Sequence, residues 1–288
     1  MTGWLFIVLS SATSVLIAHF LKVVEFKKLS TIKVLIVNYL AATIIAFSTS
    51  GATEILQLDF YEFSGTVTLA MVTGLFFIVN FFIYSKSVFH NGVGISVASM
   101  RISLIIPVLL STLWYLELLT VQQWMGVLFV IFALFLLLPN KRKMLREPFS
   151  AAWLLVLLFI CTGIGDASLK VYEREFSALL EKEQFMGLVF FIAFMIGIIF
   201  LAFRKERSIS FSWAEVGMGI AIGIPNFYTS IFLIEALERM NGGIVYSSVN
   251  LLTVLGGTLL GITRWQDKLT GIQWIGIIIS IAAIVLLL

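Results

Sequence analysis

The sequence predicts an all-α integral membrane protein of ten transmembrane helices, arranged as two inverted five-helix repeats. Three observations predict it. The 288 residues are 60% hydrophobic and only 12% charged. Ten apolar runs are each long enough to cross a bilayer. The last 48 residues of each half match at an offset of 150.

Soluble domains carry about a quarter charged residues, because a water-facing surface needs polar groups. This chain has too few, so the bilayer is its solvent. The formal net charge is +3. The basic residues stand at helix ends, where they read as topology signals rather than as a nucleic-acid surface. There is one cysteine, Cys161, and there are two histidines, His19 and His90. No disulfide can form within the chain, and no metal-binding spacing or P-loop is present, so neither a metal nor another cofactor is expected. Only Met1 and Thr2 precede the first apolar run, which therefore lacks the basic start of a signal peptide and reads as a retained helix.

Crossing the hydrocarbon takes about 17–25 apolar residues. The predicted spans are Gly3–Leu21, Ile32–Thr49, Gly65–Tyr84, Val93–Tyr115, Val121–Leu138, Ala151–Leu169, Phe185–Phe203, Val216–Ile234, Gly243–Thr263 and Gly271–Leu288. Their length and uniform apolarity exclude the alternating strands of a membrane barrel. The connections are short. The polar segment Pro139–Ser150 divides the chain nearly in half, giving a first unit at 1–138, a linker at 139–150 and a second unit at 151–288.

Comparing 91–138 with 241–288 gives 14 identities in 48 positions. The informative ones are polar or glycine: Asn91-Gly92 with Asn241-Gly242, Leu119-Thr120 with Leu269-Thr270, and Gln123, Trp124 and Gly126 with Gln273, Trp274 and Gly276. Glu117 falls opposite Asp267. Five helices per unit is an odd number, so the second unit enters the membrane upside down. That is the plan of many secondary transporters, whose substrates sit near the midplane between the repeats. The alternatives are weaker. An intramembrane enzyme needs a nucleophile beside a base, and the scattered serines lack one. A channel needs no inverted repeat.

The stretches from Asn91 and Asn241 resemble the closing part of an EamA-type half. Each has a small-residue helix, an acidic residue near aromatics, a threonine, and a tryptophan and glycine opening the last helix. Helices one and six also end alike, in Leu21-Lys22-Val23 and Leu169-Lys170-Val171. The pair resembles the drug/metabolite transporter superfamily over nearly the whole chain. The resemblance implies alternating-access movement of small metabolites, often amino acids. In two places the chain departs from that pattern. Tyr115-Leu116-Glu117 replaces a basic cluster between helices four and five, and lysines crowd instead between helices one and two.

The loops after helices one, three, five, seven and nine carry 14 of the 19 basic residues: Lys22, Lys27, Lys28, Lys33, Lys86, Lys141, Arg142, Lys143, Arg146, Arg204, Lys205, Arg207, Arg264 and Lys268. The other face carries Lys170, Arg174, Lys182 and Arg239. The rich face is expected to be cytoplasmic, in the cell's inner membrane, with both termini outside.

Charges at membrane depth face a cavity or a partner. Arg101 lies about 12 Å into helix four, near the midplane. It is expected either to hold an anionic substrate group or to form an ion pair. Asp166 in helix six is the carboxylate deepest in a span, a candidate for proton coupling or gating. Asn226 and Asn250 fall near the midplane, and Asn38, Asn80 and Tyr84 nearer the basic face. Such amides suit a zwitterionic substrate, or join helices. The expected substrate-binding set is Arg101, Asn226, Asn250, Asn80 and Tyr84, with the first three in one cavity between helices three, four, eight and nine. Pro107 and Pro225 interrupt helices four and eight and join Asp166 as gating candidates. Gly219 with Gly223 and Gly257 with Gly261 have the spacing for close helix contact, within the chain or in a homodimer.

Overall fold

The computed structural model describes residues 2–50, 59–91, 93–137, 151–203, 210–266 and 268–288. The linker 139–150, most of the acidic first loop, Gly92 and Asp267 lie outside them. So do seven of the counted basic residues: Lys141, Arg142, Lys143, Arg146, Arg204, Lys205 and Arg207.

Among the described residues every regular element is helical. The ten helices are α1 (Thr2–Phe26), α2 (Thr31–Thr49), α3 (Phe60–Asn91), α4 (Val93–Ile102, then Ile105–Leu109), α5 (Val121–Leu137), α6 (Ala152–Val171), α7 (Lys182–Phe203), α8 (Trp213–Leu237), α9 (Gly242–Trp265) and α10 (Gly271–Leu287). Eight are long and apolar enough to cross a membrane, counting α4 with its continuation to Trp114. The apolar helices α5 and α10 have 17 residues each, the lower end of the spanning range. Large apolar side chains such as Phe132, Trp153, Ile198 and Ile278 face outward, as lipid contact requires.

Helix starts follow from the repeated polar residues. Thr120 and Gln123 exchange hydrogen bonds at the start of α5: the Gln123 amide donates to Thr120 Oγ1 at 3.2 Å, and the Thr120 amide to Gln123 Oε1 at 3.0 Å. Thr270 and Gln273 repeat this at α10, at 3.4 and 2.9 Å. This reciprocal box satisfies amides that no helical carbonyl can reach. Gly126 and Gly276 have the matching role in packing. A methyl group at Gly126 would lie 3.0 Å from the Leu287 side chain, and one at Gly276 3.0 Å from Leu136 and 3.1 Å from Leu137. Leu137 and Leu287 are themselves counterparts at offset 150, so α5 and α10 meet through one contact used twice.

The remaining packing shows the same exchange. α1 lies on α8 as α6 lies on α3, α1 on α9 as α6 on α4, and α2 on α8 as α7 on α3. α2 pairs with its own counterpart α7. A Cβ at Gly74 would come 2.6 Å from the Val189 carbonyl of α7. One at Gly223 would come 2.8 Å from the Asn38 carbonyl of α2. Gly219 likewise abuts Val37 and the Val34 carbonyl. The Gly219–Gly223 spacing is therefore used inside the chain. Gly257 meets nothing within 4 Å.

The prolines behave unequally. α4 breaks between Ile102 and Ile105. Pro107 has no N–H to give the Ser103 carbonyl, which accepts instead from the Ile106 amide at 2.9 Å in a tighter turn. The chain then widens into an underwound π-turn at Leu110–Trp114. The span Val93–Tyr115, expected to be interrupted at Pro107, is thus two segments, broken just before the proline. The expected interruption at Pro225 does not occur, since α8 runs unbroken from Trp213 to Leu237. A proline removes one hydrogen bond, and neighbouring helices hold the rest of the turn in place.

Candidate functional site

Arg101 ends the first segment of α4, just before the break. Its Nη1 donates to Asn250 Oδ1 of α9 at 3.1 Å. Asn250 Nδ2 donates to the Tyr246 carbonyl at 3.0 Å, which orients the amide with its oxygen toward the guanidinium. At offset 150, Arg101 corresponds to Leu251 and Asn250 to Met100. Each bonded residue is thus a sequence neighbour of its partner's counterpart, and the contact joins α4 to α9. Arg101 is enclosed by protein yet keeps partial exposure.

Other predicted residues take separate places. Asp166 of α6 acts on Arg101 through space, with no Asp166–Arg101 ion pair among the described residues, and its backbone carbonyl accepts from the Tyr246 hydroxyl at 2.8 Å. Tyr84 of α3 is a second electrostatic neighbour of Arg101 and also senses Glu25 at the end of α1. Asn80 accepts from Thr162 Oγ1 of α6 at 2.9 Å. The equivalent junction of α8 with α1 is a 2.6 Å bond from Thr229 to Thr13, so the Asn80 contact is one of a matched pair joining the halves. Asn226 donates to Asn38 Oδ1 of α2 at 3.1 Å rather than to Arg101 or Asn250. Pro107 is buried one and a half turns beyond Arg101. Pro225 is buried next to Asn226.

Titratable groups that act on one another through space follow each other along the bundle. They run from Glu25 through Tyr84, Arg101, Asp166 and Tyr246 to Glu117 and Glu173. At the end formed by the loops after α4, α6 and α8, Lys170 is fully buried. Its Nζ donates to Glu117 Oε1 and to Glu173 Oε2, both at 2.6 Å. Arg174 also binds Glu117, and Glu117 Oε2 accepts from the Gly242 amide at 2.7 Å, which caps the start of α9. Burial first, then Glu175, pushes the Tyr115 phenol up to about 12, so it stays protonated beside this network. A second cluster joins Lys182 and Arg239 to Glu235 and Glu238, with Arg239 over the Phe6 ring. Tyr172 and Phe185 stack beneath at 4.1 Å. Charge pairs and stacked rings seal this end. Past Asn250, α9 is only partly covered from Val254 to Thr258.

Sequence reasoning treated Lys170, Arg174, Lys182 and Arg239 as surface topology signals and missed this network. The signal available was Glu117 itself, an acid where the resemblance leads one to expect basic residues.

Ten apolar helices, eight of them long enough to cross a membrane by themselves, make this a multi-pass membrane protein. Residues 149–288 match the model of the EamA-like transporter family. Members of that family are transporters rather than enzymes. Over 278 residues the chain is 24% identical to a protein of Haemophilus influenzae described as uncharacterized, covering 94% of this chain and 93% of that one. A protein of known crystal structure is similar in fold, with a TM-score of 0.73 at 16% identity over 97% of this chain and 95% of the other.

Proposed function

We propose that the protein is a secondary active transporter that moves a small polar metabolite with an anionic group, an amino acid or a related compound, across the cytoplasmic membrane by alternating access. The observation that carries this reading is the Arg101–Asn250 contact, which joins α4 to α9. A fixed guanidinium there offers several N–H donors to a carboxylate. The carbonyl oxygen of Asn250 occupies a donor that a substrate carboxylate would take over. The units 1–138 and 151–288 act as the two rocking halves, joined by the linker 139–150. The broken α4 supplies the bend that Pro107 permits.

Asp166 supplies coupling in this reading. Ionised, it offsets the positive field of Arg101. Protonated, it leaves that field to the substrate, so an anion and a proton favour each other's binding. Flux in proteoliposomes against an amino-acid and metabolite panel, with and without a pH gradient, tests both parts. Accumulation of at least one polar acid is expected, larger with an imposed gradient. Indifference to the gradient removes the proton, and failure to move any such compound removes the substrate class.

The basic bias sets the orientation, with Lys141–Arg146 in the cytoplasm. A cysteine at Lys141 is expected to resist an impermeant thiol reagent in intact cells and to react after lysis. Ready labelling in intact cells would reverse the assignment, leaving the sealed end inside.

A further inference from the structure

The face of α9 that carries Asn250 holds two hydroxyls with nothing to bond. Ser247 is fully buried and Thr253 is 4% exposed, yet neither Ser247 Oγ nor Thr253 Oγ1 has a hydrogen-bond partner among the described residues. Several hydroxyls buried in other helices bond the carbonyl one turn back: Thr112 to Val108 at 2.9 Å, Ser168 to Ile164 at 2.7 Å and Ser280 to Gly276 at 2.8 Å. Ser111 Oγ, beyond Pro107, shares the lack of a partner among the described residues. A buried hydroxyl deprived even of that bond is destabilising unless something else fills the role.

The helix period shows where the two point. Ser247 and Thr253 stand three residues before and after Asn250, each within about 60° of it around the helix. Asn250 faces Arg101. One turn beyond Thr253 on the same face is Gly257, where a side chain would meet nothing within 4 Å. Tyr246, also on this face, binds the Asp166 carbonyl. The stripe therefore begins near the sealed end, passes the guanidinium and reaches open space at Gly257.

We propose that Ser247 and Thr253 are specificity-determining residues that hydrogen-bond the substrate on either side of the group held by Arg101. This rests on the transporter reading above. The two positions are about 9 Å apart along the helix axis. The stripe thus fits an acid that carries neutral hydrogen-bonding groups (hydroxyl, amino or amide) on both sides of its anionic group, in preference to a compact monocarboxylate. A site that donates to such groups discriminates strongly against analogues lacking them, because its own buried hydroxyls are then left unpaired.

Ser248 supplies the comparison. It is fully buried and also without a partner among the described residues, but it lies about 160° from Asn250, on the other side of α9. Two measurements on the purified protein decide the matter. In a Cys161→Ala background, Ser247→Cys and Thr253→Cys are expected to react with aminoethyl methanethiosulfonate faster than Ser248→Cys. A Ser248→Cys that reacts as fast overturns the proposal, whether or not a ligand is known. In the second, binding is followed against a panel of amino, hydroxy and simple carboxylic acids. Ser247→Ala and Thr253→Val, close in shape to the originals, are expected to weaken the best-bound polar acid about 3- to 10-fold. They should leave simple monocarboxylates unaffected, and Ser248→Ala should change nothing. Unchanged affinities and rank order in both variants, with binding still lost in Arg101→Ala, sink this proposal and spare the transporter reading. Retention of binding in Arg101→Ala sinks both.

Discussion

Arg101→Ala is expected to abolish substrate binding while the protein remains folded and recoverable in detergent. Among the described residues the guanidinium makes one hydrogen bond, to Asn250, so its removal costs the fold little beyond that contact. A bound carboxylate would lose two charge-assisted hydrogen bonds at about 1.5–3 kcal/mol each, or roughly 100-fold or more in affinity. Arg101→Lys should recover part of the loss, since it keeps the charge but not the planar fork. Isothermal titration with the best compound from the flux panel reads the effect. The competing role is a structural charge balance with Asp166. It predicts that Arg101→Ala aggregates and that Arg101→Ala/Asp166→Ala recovers. That pattern would retire Arg101 as a binding residue.

Glu117→Ala is expected to produce the largest loss of stability. Glu117 holds Lys170, Arg174 and the Gly242 amide together, and Lys170 has no exposure to water. Stranding a buried charge typically costs about 3–5 kcal/mol. Lys170 would keep Glu173 as its one remaining partner among the described residues. Thermal unfolding in detergent should show a clear drop in midpoint. Glu117→Ala/Lys170→Met should recover much of it, because removing both members of a buried pair is often close to neutral. A Glu117→Ala protein as stable as the wild type would show that the network carries no load in the sealed state. The same network links this end of α6 to the start of α9, which carries Asn250 eight residues further on. Opening of the sealed end must therefore part Glu117 from α6 or from α9.

Much of the architecture was legible without coordinates. Apolar runs of about 20 residues have one stable solution in a bilayer, because every backbone amide must be bonded within its own segment. All ten helices accordingly lie where the spans were expected, with ends moved by a few residues. The Thr120/Gln123 and Thr270/Gln273 matches mark capping boxes, and Gly126 and Gly276 mark the closest approach of α5 and α10. Local hydrogen bonding and side-chain size govern such positions, and both can be read from sequence. Arg101 and Asp166 stood out because charge is costly at membrane depth.

Partner choice was not legible. Asn226, Asn250 and Asn80 are the same residue type within apolar spans, and periodicity assigns none of them a neighbour. Tertiary packing sends Asn226 to Asn38, Asn250 to Arg101 and Asn80 to Thr162. Pro107 and Pro225 likewise look equivalent in sequence, yet only the first accompanies a broken helix, because the surrounding helices decide whether a lost bond opens the turn. Lys170 and Glu117 are 53 residues apart. Each alone reads as a loop charge in water. Burial of the pair exists only once α4, α6 and α9 converge. The number of helices, the internal matches at offset 150 and the deep charges can be read from the residues alone, since each depends on a chain segment and its solvent. Which polar groups meet, which end is sealed and which face of α9 is left open follow from contacts between distant segments, which form only on folding.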